Sequence, residues 1–272
     1  LRNVGAQFHA AADGVAASTE VFELLEAAGP STRHEVPAAS PEGADRDGSI
    51  GAGVTFEGVS VRYGEAVALE GLDARARAGQ VTAVVGASGS GKSSLLAALV
   101  GFTRYEGTIT VDGRDVGGQP APRPWLAWAG QRAAVLPGTV LENVTLGDAL
   151  PQHPLAEAAL ALAGAPEIAL DTVVDPLGGG LSGGQAQRVS AARAIYRARR
   201  FDCAVVAFDE PTSALDPEHE ARFAAGLRAL ADEGRAVVVV THRPDLVARA
   251  DAVIAVGERA VSTADGLERG AR

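Results

Sequence analysis

Lys92 is the sole lysine in a chain of 272 residues that writes its other 23 basic positions as arginine. It lies in GASGSGKSS, where Gly86, Gly91, Lys92 and Ser93 satisfy G-x-x-x-x-G-K-[ST]. The pattern follows the β-rich run VTAVV and opens the helical run KSSLLAALV, the context in which such a loop cradles phosphate. Glycine at 86, 89 and 91 lets the backbone curl. The N–H groups of Gly86, Ser88, Gly89, Ser90, Gly91 and Ser94 and the helix N-terminus are then expected to point at phosphate oxygens, and the Ser93 hydroxyl to ligate Mg²⁺. Lysine suits position 92 because a compact ammonium on a flexible stem reaches between phosphates, whereas a planar guanidinium prefers a two-pronged acceptor. A glycine-rich turn with no ligand would leave the single lysine unexplained.

Two further stretches carry chemistry. LSGGQAQR, Leu181 to Arg188, precedes the helical run VSAARAIYRA, so Gly183 and Gly184 would form a second anion-binding helix start. A plain helix cap accounts for Ser182 but not for Gly183, Gly184, Gln185 and Arg188 together. The apolar run CAVVAF ends in Asp209-Glu210. Such a run reads as a buried central strand, with its acids at the rim where α/β sheets bind ligands. There Asp209 can hold Mg²⁺ through water and Glu210 can polarise an attacking water, although an ordinary strand exit into Pro211 is equally compatible with this stretch alone. The phosphate loop by itself leaves kinases, GTPases and many ATPases open.

The elements that must position these residues follow three textures. Leu1 to Ala28 spaces Val4, Phe8, Val15, Phe22 and Leu25 at helical intervals among alanines, and residues 29–53 are rich in Pro, Gly, Ser and charge, as a linker is. From Val54 onward short β-rich runs (VTFEGVSV, QVTAVVG, GTITV, CAVVAF, AVVVVT, AVIAV) alternate with Ala/Leu/Arg-rich helical stretches. That alternation predicts an α/β domain over 54–272 with a mostly parallel sheet, an antiparallel portion near Val54 to Leu69 and a helical portion around Leu141 to Tyr196. A net charge of −10 with no basic run argues against nucleic acid as a partner. One cysteine, Cys203, cannot make an internal disulfide, which favours a reducing compartment. No apolar run reaches the length of a membrane span. The absence of methionine implies a piece of a longer polypeptide.

Across Val54 to Val261 these motifs, in this order, resemble the nucleotide-binding domain of ABC transporters of exporter type. The resemblance implies a P-loop ATPase fold with a RecA-like core, ATP and Mg²⁺ as cofactors, and ATP hydrolysis as the activity. GASGSGKS is similar to Walker A, AVVAFDE to Walker B, LSGGQ to the ABC signature and PTSALD (Pro211 to Asp216) to the D-loop. Gln131 in WAGQR matches the Q-loop glutamine, expected at the metal, and His242 after AVVVVT matches the switch histidine, expected at the γ-phosphate. Glu210 becomes the catalytic carboxylate and Asp209 a metal ligand. Tyr63 in VRYG matches the aromatic that stacks on adenine. Ser182, Gly183, Gly184 and Gln185 would cap the γ-phosphate held by a second cassette.

Leu1 to Glu26 resembles the tail of a last transmembrane helix and elbow. Its LR-x-x-G-x-x-x-HA wording is similar to the CydD family of cysteine and glutathione exporter subunits. That implies as partners the membrane domain of the same transporter and a different, CydC-like cassette, with the chain at the cytoplasmic face of a membrane. One departure stands out: Thr172 to Gly178 reads TVVDPLG, where exporters carry T-x-V-G-E-x-G, so contact of this loop with a membrane domain is not implied. A repair or translation-factor ATPase would need a coiled coil or a tandem cassette, and a non-catalytic cassette would lose Glu210, His242 or part of LSGGQ. None of these holds here.

Overall fold

The computed structural model describes residues 53–119, 121–175, 179–212 and 215–257. The expected membrane-helix tail and linker lie outside them, apart from Gly53. The described chain opens with β1 (Val54–Tyr63) and β2 (Ala66–Ala76), an antiparallel pair. In β1 the inward residues are Val54, Phe56, Val59 and Val61, a set that strict alternation cannot place on one face. A register shift between Phe56 and Val59, with Gly58 at φ 59°, inserts the extra residue that resets the phase.

β3 (Val81–Val85) leads into α1 (Lys92–Val100), after which β4 (Glu106–Val111) returns to pair with β1 and β5 (Arg114–Asp115) closes the sheet in the order β2-β1-β4-β5. The antiparallel portion therefore runs past Leu69 to Ala76 and takes in two later strands. β6 (Leu126–Ala129) is followed by a helical segment. It comprises β7 (Gly138–Thr139), α2 (Val140–Val144), α3 (His153–Leu162), β8 (Val173–Val174) and α4 (Gly183–Arg200). This matches the expected helical portion and extends it to Arg200.

β9 (Val205–Asp209), α5 (Pro217–Asp232), β10 (Ala236–Val240), α6 (Pro244–Arg249) and β11 (Ala252–Ala255) complete a parallel five-stranded sheet of order β11-β3-β10-β9-β6. Every residue of β9 and β10 is buried, as expected of central parallel strands covered on both faces. Alternation divides them between two cores. Val206, Phe208, Val237 and Val239 pack towards α4 and α5, and Val205, Ala207, Val238 and Val240 pack towards α1 and the antiparallel sheet. Phe208 meets Phe223 of α5 edge to face at 5.3 Å. Cys203, fully buried ahead of β9, has its sulfur 3.3 Å from the Pro124 carbonyl, and burial pushes its thiol up to about 11.

Candidate functional site

Register places the chemistry-bearing residues in one row. In the parallel sheet Val84 of β3 lies opposite Val240 of β10, Val240 opposite Asp209 of β9, and Phe208 of β9 opposite Ala129 of β6. The chain leaves these four neighbouring strands at the same rim, and within two residues of each register point come Gly86, His242, Glu210 and Gln131. This is the carboxyl edge at which open α/β sheets take ligands.

The loop between β3 and α1 depends on its glycines at two close approaches. Gly86 has φ 152° and its absent side chain would collide with the Val256 carbonyl, while Gly91 has φ 100° and would collide with the Ala68 carbonyl of β2. Gly91 is also the N-cap of α1, so no side chain satisfies the first turn, and the amides of Lys92, Ser93 and Ser94 meet no acceptor among the described residues. Ser88 and Gly89 are exposed at the loop tip, and the Ser90 hydroxyl is buried without a partner. Lys92 folds its ammonium back over the loop, donating to the carbonyls of Gly86 at 2.8 Å and Ala87 at 2.7 Å. A cation lying over the loop beside the open amides of a helix N-terminus is a receptor for an anion with several oxygens. Tyr63 is half-exposed at the end of β1, where it pairs with Ala66, two residues ahead of the carbonyl that touches Gly91.

Across from α1 stand the two acids. Glu210 has φ 48°, its N–H donates to Val240 O at 2.9 Å, and its carboxylate has a neighbour on each oxygen. Gln131 Nε2 donates to Oε2 at 3.1 Å, and His242 Nδ1 lies 3.4 Å from Oε1. Asp209 is buried, and loss of solvent raises its carboxyl above the ordinary range, against a hydrogen bond from Ser93 and the nearby Lys92 charge that lower it. Its Oδ1 has no hydrogen-bond partner. An orphaned buried carboxylate oxygen beside a serine hydroxyl fits a hard cation with oxygen ligands, so Ser93, Asp209 and the amide oxygen of Gln131 can hold Mg²⁺. Among the described residues no cluster of three or more His, Cys, Asp or Glu forms, so phosphate and water would complete the shell.

Ser182 to Gln185 is not joined to this group by any hydrogen bond. Ser182 caps α4, its Oγ accepting from Gln185 N at 3.2 Å, while Gln185 Oε1 accepts from Ser182 N at 2.8 Å. The cap thus accounts for Gln185 as well as Ser182, and Arg188 is accounted for by an ion pair with Glu167 at 2.7 Å. What the cap leaves unexplained is the pair Gly183 and Gly184, whose amides find no acceptor among the described residues. In the TVVDPLG stretch, β8 pairs with β7 and Asp175 Oδ1 accepts from Gly179 N at 2.8 Å. Residues 176–178, with Pro176 of the departure, lie outside the described residues.

Two side chains at the site escape sequence reasoning. Gln187 of α4 donates to the Glu210 carbonyl at 2.8 Å. Arg243, next to His242, donates to the carbonyls of Thr212 at 3.1 Å and Leu215 at 3.2 Å, fastening the segment that leads to the Asp216 cap of α5. All three bonds go to backbone, and no residue type at the receiving end announces them.

Residues 69–213, just over half the chain, match the family model described as ABC transporter, and the chain belongs to that family. It is an ABC transporter ATPase domain of the exporter type. It is 35% identical to an ATP-dependent lipid A-core flippase of Chromohalobacter salexigens over 89% of this chain and 41% of that protein. It is 38% identical to the ABC multidrug transporter atrD of Emericella nidulans over 74% of this chain and 16% of that protein. Among solved structures it resembles a bacterial Atm1-family ABC exporter with ATP bound, at 30% identity and a TM-score of 0.66, over 75% of this chain and 36% of that one. The chain thus spans less than half the length of these relatives.

Proposed function

We propose that this domain hydrolyses Mg-ATP with Glu210 as the group that orients and deprotonates water, and that it drives an exporter from the cytoplasmic face of a membrane. The observation that carries the reading is the Glu210 carboxylate held between Gln131 and His242, next to an Asp209 that is hydrogen-bonded by the Ser93 hydroxyl of α1. Lys92 exchanges its two loop carbonyls for phosphate oxygens, and the α1 amides take the remaining charge. Tyr63 offers a flat face to the adenine. Ser93, Asp209 and Gln131 would hold Mg²⁺, which would supply charge neutralisation on the phosphates. His242 would steady the water-activating carboxylate and contact the terminal phosphate of a bound nucleotide. Glu210→Gln keeps the shape but loses the basicity, so Mg-ATP binding is expected to persist while turnover falls by roughly 10²-fold. Hydrolysis within a factor of two of the parent would remove Glu210 from this role.

Ser182 and the amides of Gly183 and Gly184 are proposed to meet the γ-phosphate bound by a second cassette, a CydC-like chain in the preferred reading. The membrane domain of the same transporter is the other partner. For the cargo, the wording of residues 1–10 supports a thiol such as cysteine or glutathione. The names of the flippase and multidrug relatives favour a second reading, an amphiphile. The test is ATP-dependent uptake of labelled glutathione and cysteine, against labelled lipid, into inverted vesicles bearing the complete transporter. Thiol uptake supports the first reading, and lipid movement without thiol uptake transfers the cargo to the second.

A further inference from the structure

Glu210 is held in a conformation that its own sequence opposes. A residue with a side chain at φ 48° lies in the left-handed region, at a cost of about 1–2 kcal/mol. Pro211 follows it, and a proline pushes the residue before it towards extended backbone. Something must hold the two peptide groups flanking Glu210 against this. On the amino side it is the bond from Glu210 N to Val240 O in β10, at 2.9 Å. On the carboxyl side it is Gln187, buried on α4, whose Nε2 donates to Glu210 O at 2.8 Å.

From this geometry we infer that Gln187 is the positioning residue for Glu210, transmitting the placement of α4 to the carboxylate that faces the bound phosphate. The inference rests on the reading of Glu210 as the water-activating group. Gln187 lies one turn beyond the Gly183-Gly184 start of α4, and the same helix is tied by Arg188 to Glu167 and by Arg193 to the carbonyls of Ala134 and Asn143. A shift of α4 on its neighbours therefore moves the donor that fixes the Glu210–Pro211 peptide. Whatever engages the free amides at the start of α4 then acts on water activation within the same chain. Gln185, two residues earlier, cannot do this because its side chain is committed to the cap.

Gln187→Leu preserves volume and removes the donor. In the full 272-residue chain its kcat is expected to fall about 10- to 100-fold, since a buried carbonyl loses its partner, while KM and the dissociation constant of a fluorescent ATP analogue stay within twofold. In a Glu210→Gln background the same change is expected to cost less than twofold, because it acts through Glu210. Should the leucine variant fail to fold, Gln187→Glu serves: its loss relative to the parent shrinks on going from pH 8 to pH 5.5, where the new carboxyl regains a proton to donate. The inference is overturned by an unchanged kcat, by losses that multiply in the double variant, or by a pH-independent loss in the glutamate variant. If instead Glu210→Gln itself hydrolyses normally, it is the underlying assignment of Glu210 that fails, which the single variant reports separately.

Discussion

Two helices of this domain have glycine at the N-cap or in the first turn, and they are finished in opposite ways. At α1 the N-cap is Gly91 in a left-handed conformation, with no capping side chain and no acid in the first turn. At α4 the N-cap is Ser182, closed into a reciprocal box with Gln185. The first end waits for charge from outside. The second is stable as it stands and leaves open only the amides of Gly183 and Gly184. A terminus that receives its anion within its own chain can be left bare, because loop, lysine and ligand arrive together. A terminus expected to meet an anion on another molecule must survive alone, and its cap stabilises it by about 1 kcal/mol meanwhile.

The largest effect that would break this contrast is at Lys92. Lys92→Ala is expected to drop ATP turnover by about 10³-fold or more and to weaken nucleotide binding, read by phosphate release and by titration. Lys92→Arg is also expected to be strongly impaired, and full hydrolysis in that variant would leave the lone lysine without a reason. Next is Ser182→Arg, which crowds the start of α4. In a Glu210→Gln background, light scattering should show an ATP-dependent shift from monomer to dimer that the arginine abolishes, and a dimer that persists would confine Ser182 to capping. Smaller still is Ser182→Ala, which removes the cap without adding bulk. It is expected to cost about 1 kcal/mol and to lower the melting temperature by roughly 2–4 °C, with no change in intrinsic nucleotide affinity at α1.

The smallest effect concerns the acid facing α1. The folded Asp209 keeps its proton to a higher pH than an unfolded aspartate does, so the protein binds more protons folded than unfolded in that window. Stability contributed by the protonated group is present at low pH and falls as pH rises through the raised value. Asp209→Asn is accordingly expected to melt slightly higher than the parent at pH 7 in the absence of Mg²⁺, with the margin closing towards pH 4. Mg-ATP should stabilise the parent more than the variant.

Legibility from sequence followed the same division. The strands β3, β9 and β10 are apolar runs interrupted only by Thr82 in β3, and each leads to a residue type that has little structural reason to be there: Gly86 before Lys92, Asp209-Glu210, His242. β2 was harder to see, because Glu70, Gly71 and Asp73 interrupt its pattern, and β6 is four residues whose strand character comes from pairing with β9. The spacing Ser182-x-x-Gln185 also fits a capping box, a signal that competes with the ligand reading of Gln185 and that the hydrogen bonds of the folded chain decide for the cap. Gln187 and Arg243 were illegible for a plainer reason. Each donates to a main-chain carbonyl 23 to 31 positions away, and a carbonyl has no letter in the sequence.

The buried thiol of Cys203 has a practical consequence. Walled in against the Pro124 carbonyl and with its ionisation suppressed, the only sulfur in the chain is invisible to an alkylating reagent until the surrounding core parts. Its labelling rate is therefore a clock for the opening of the core around the start of β9. Any nucleotide that binds only the closed form should slow that clock by the factor with which it stabilises the fold.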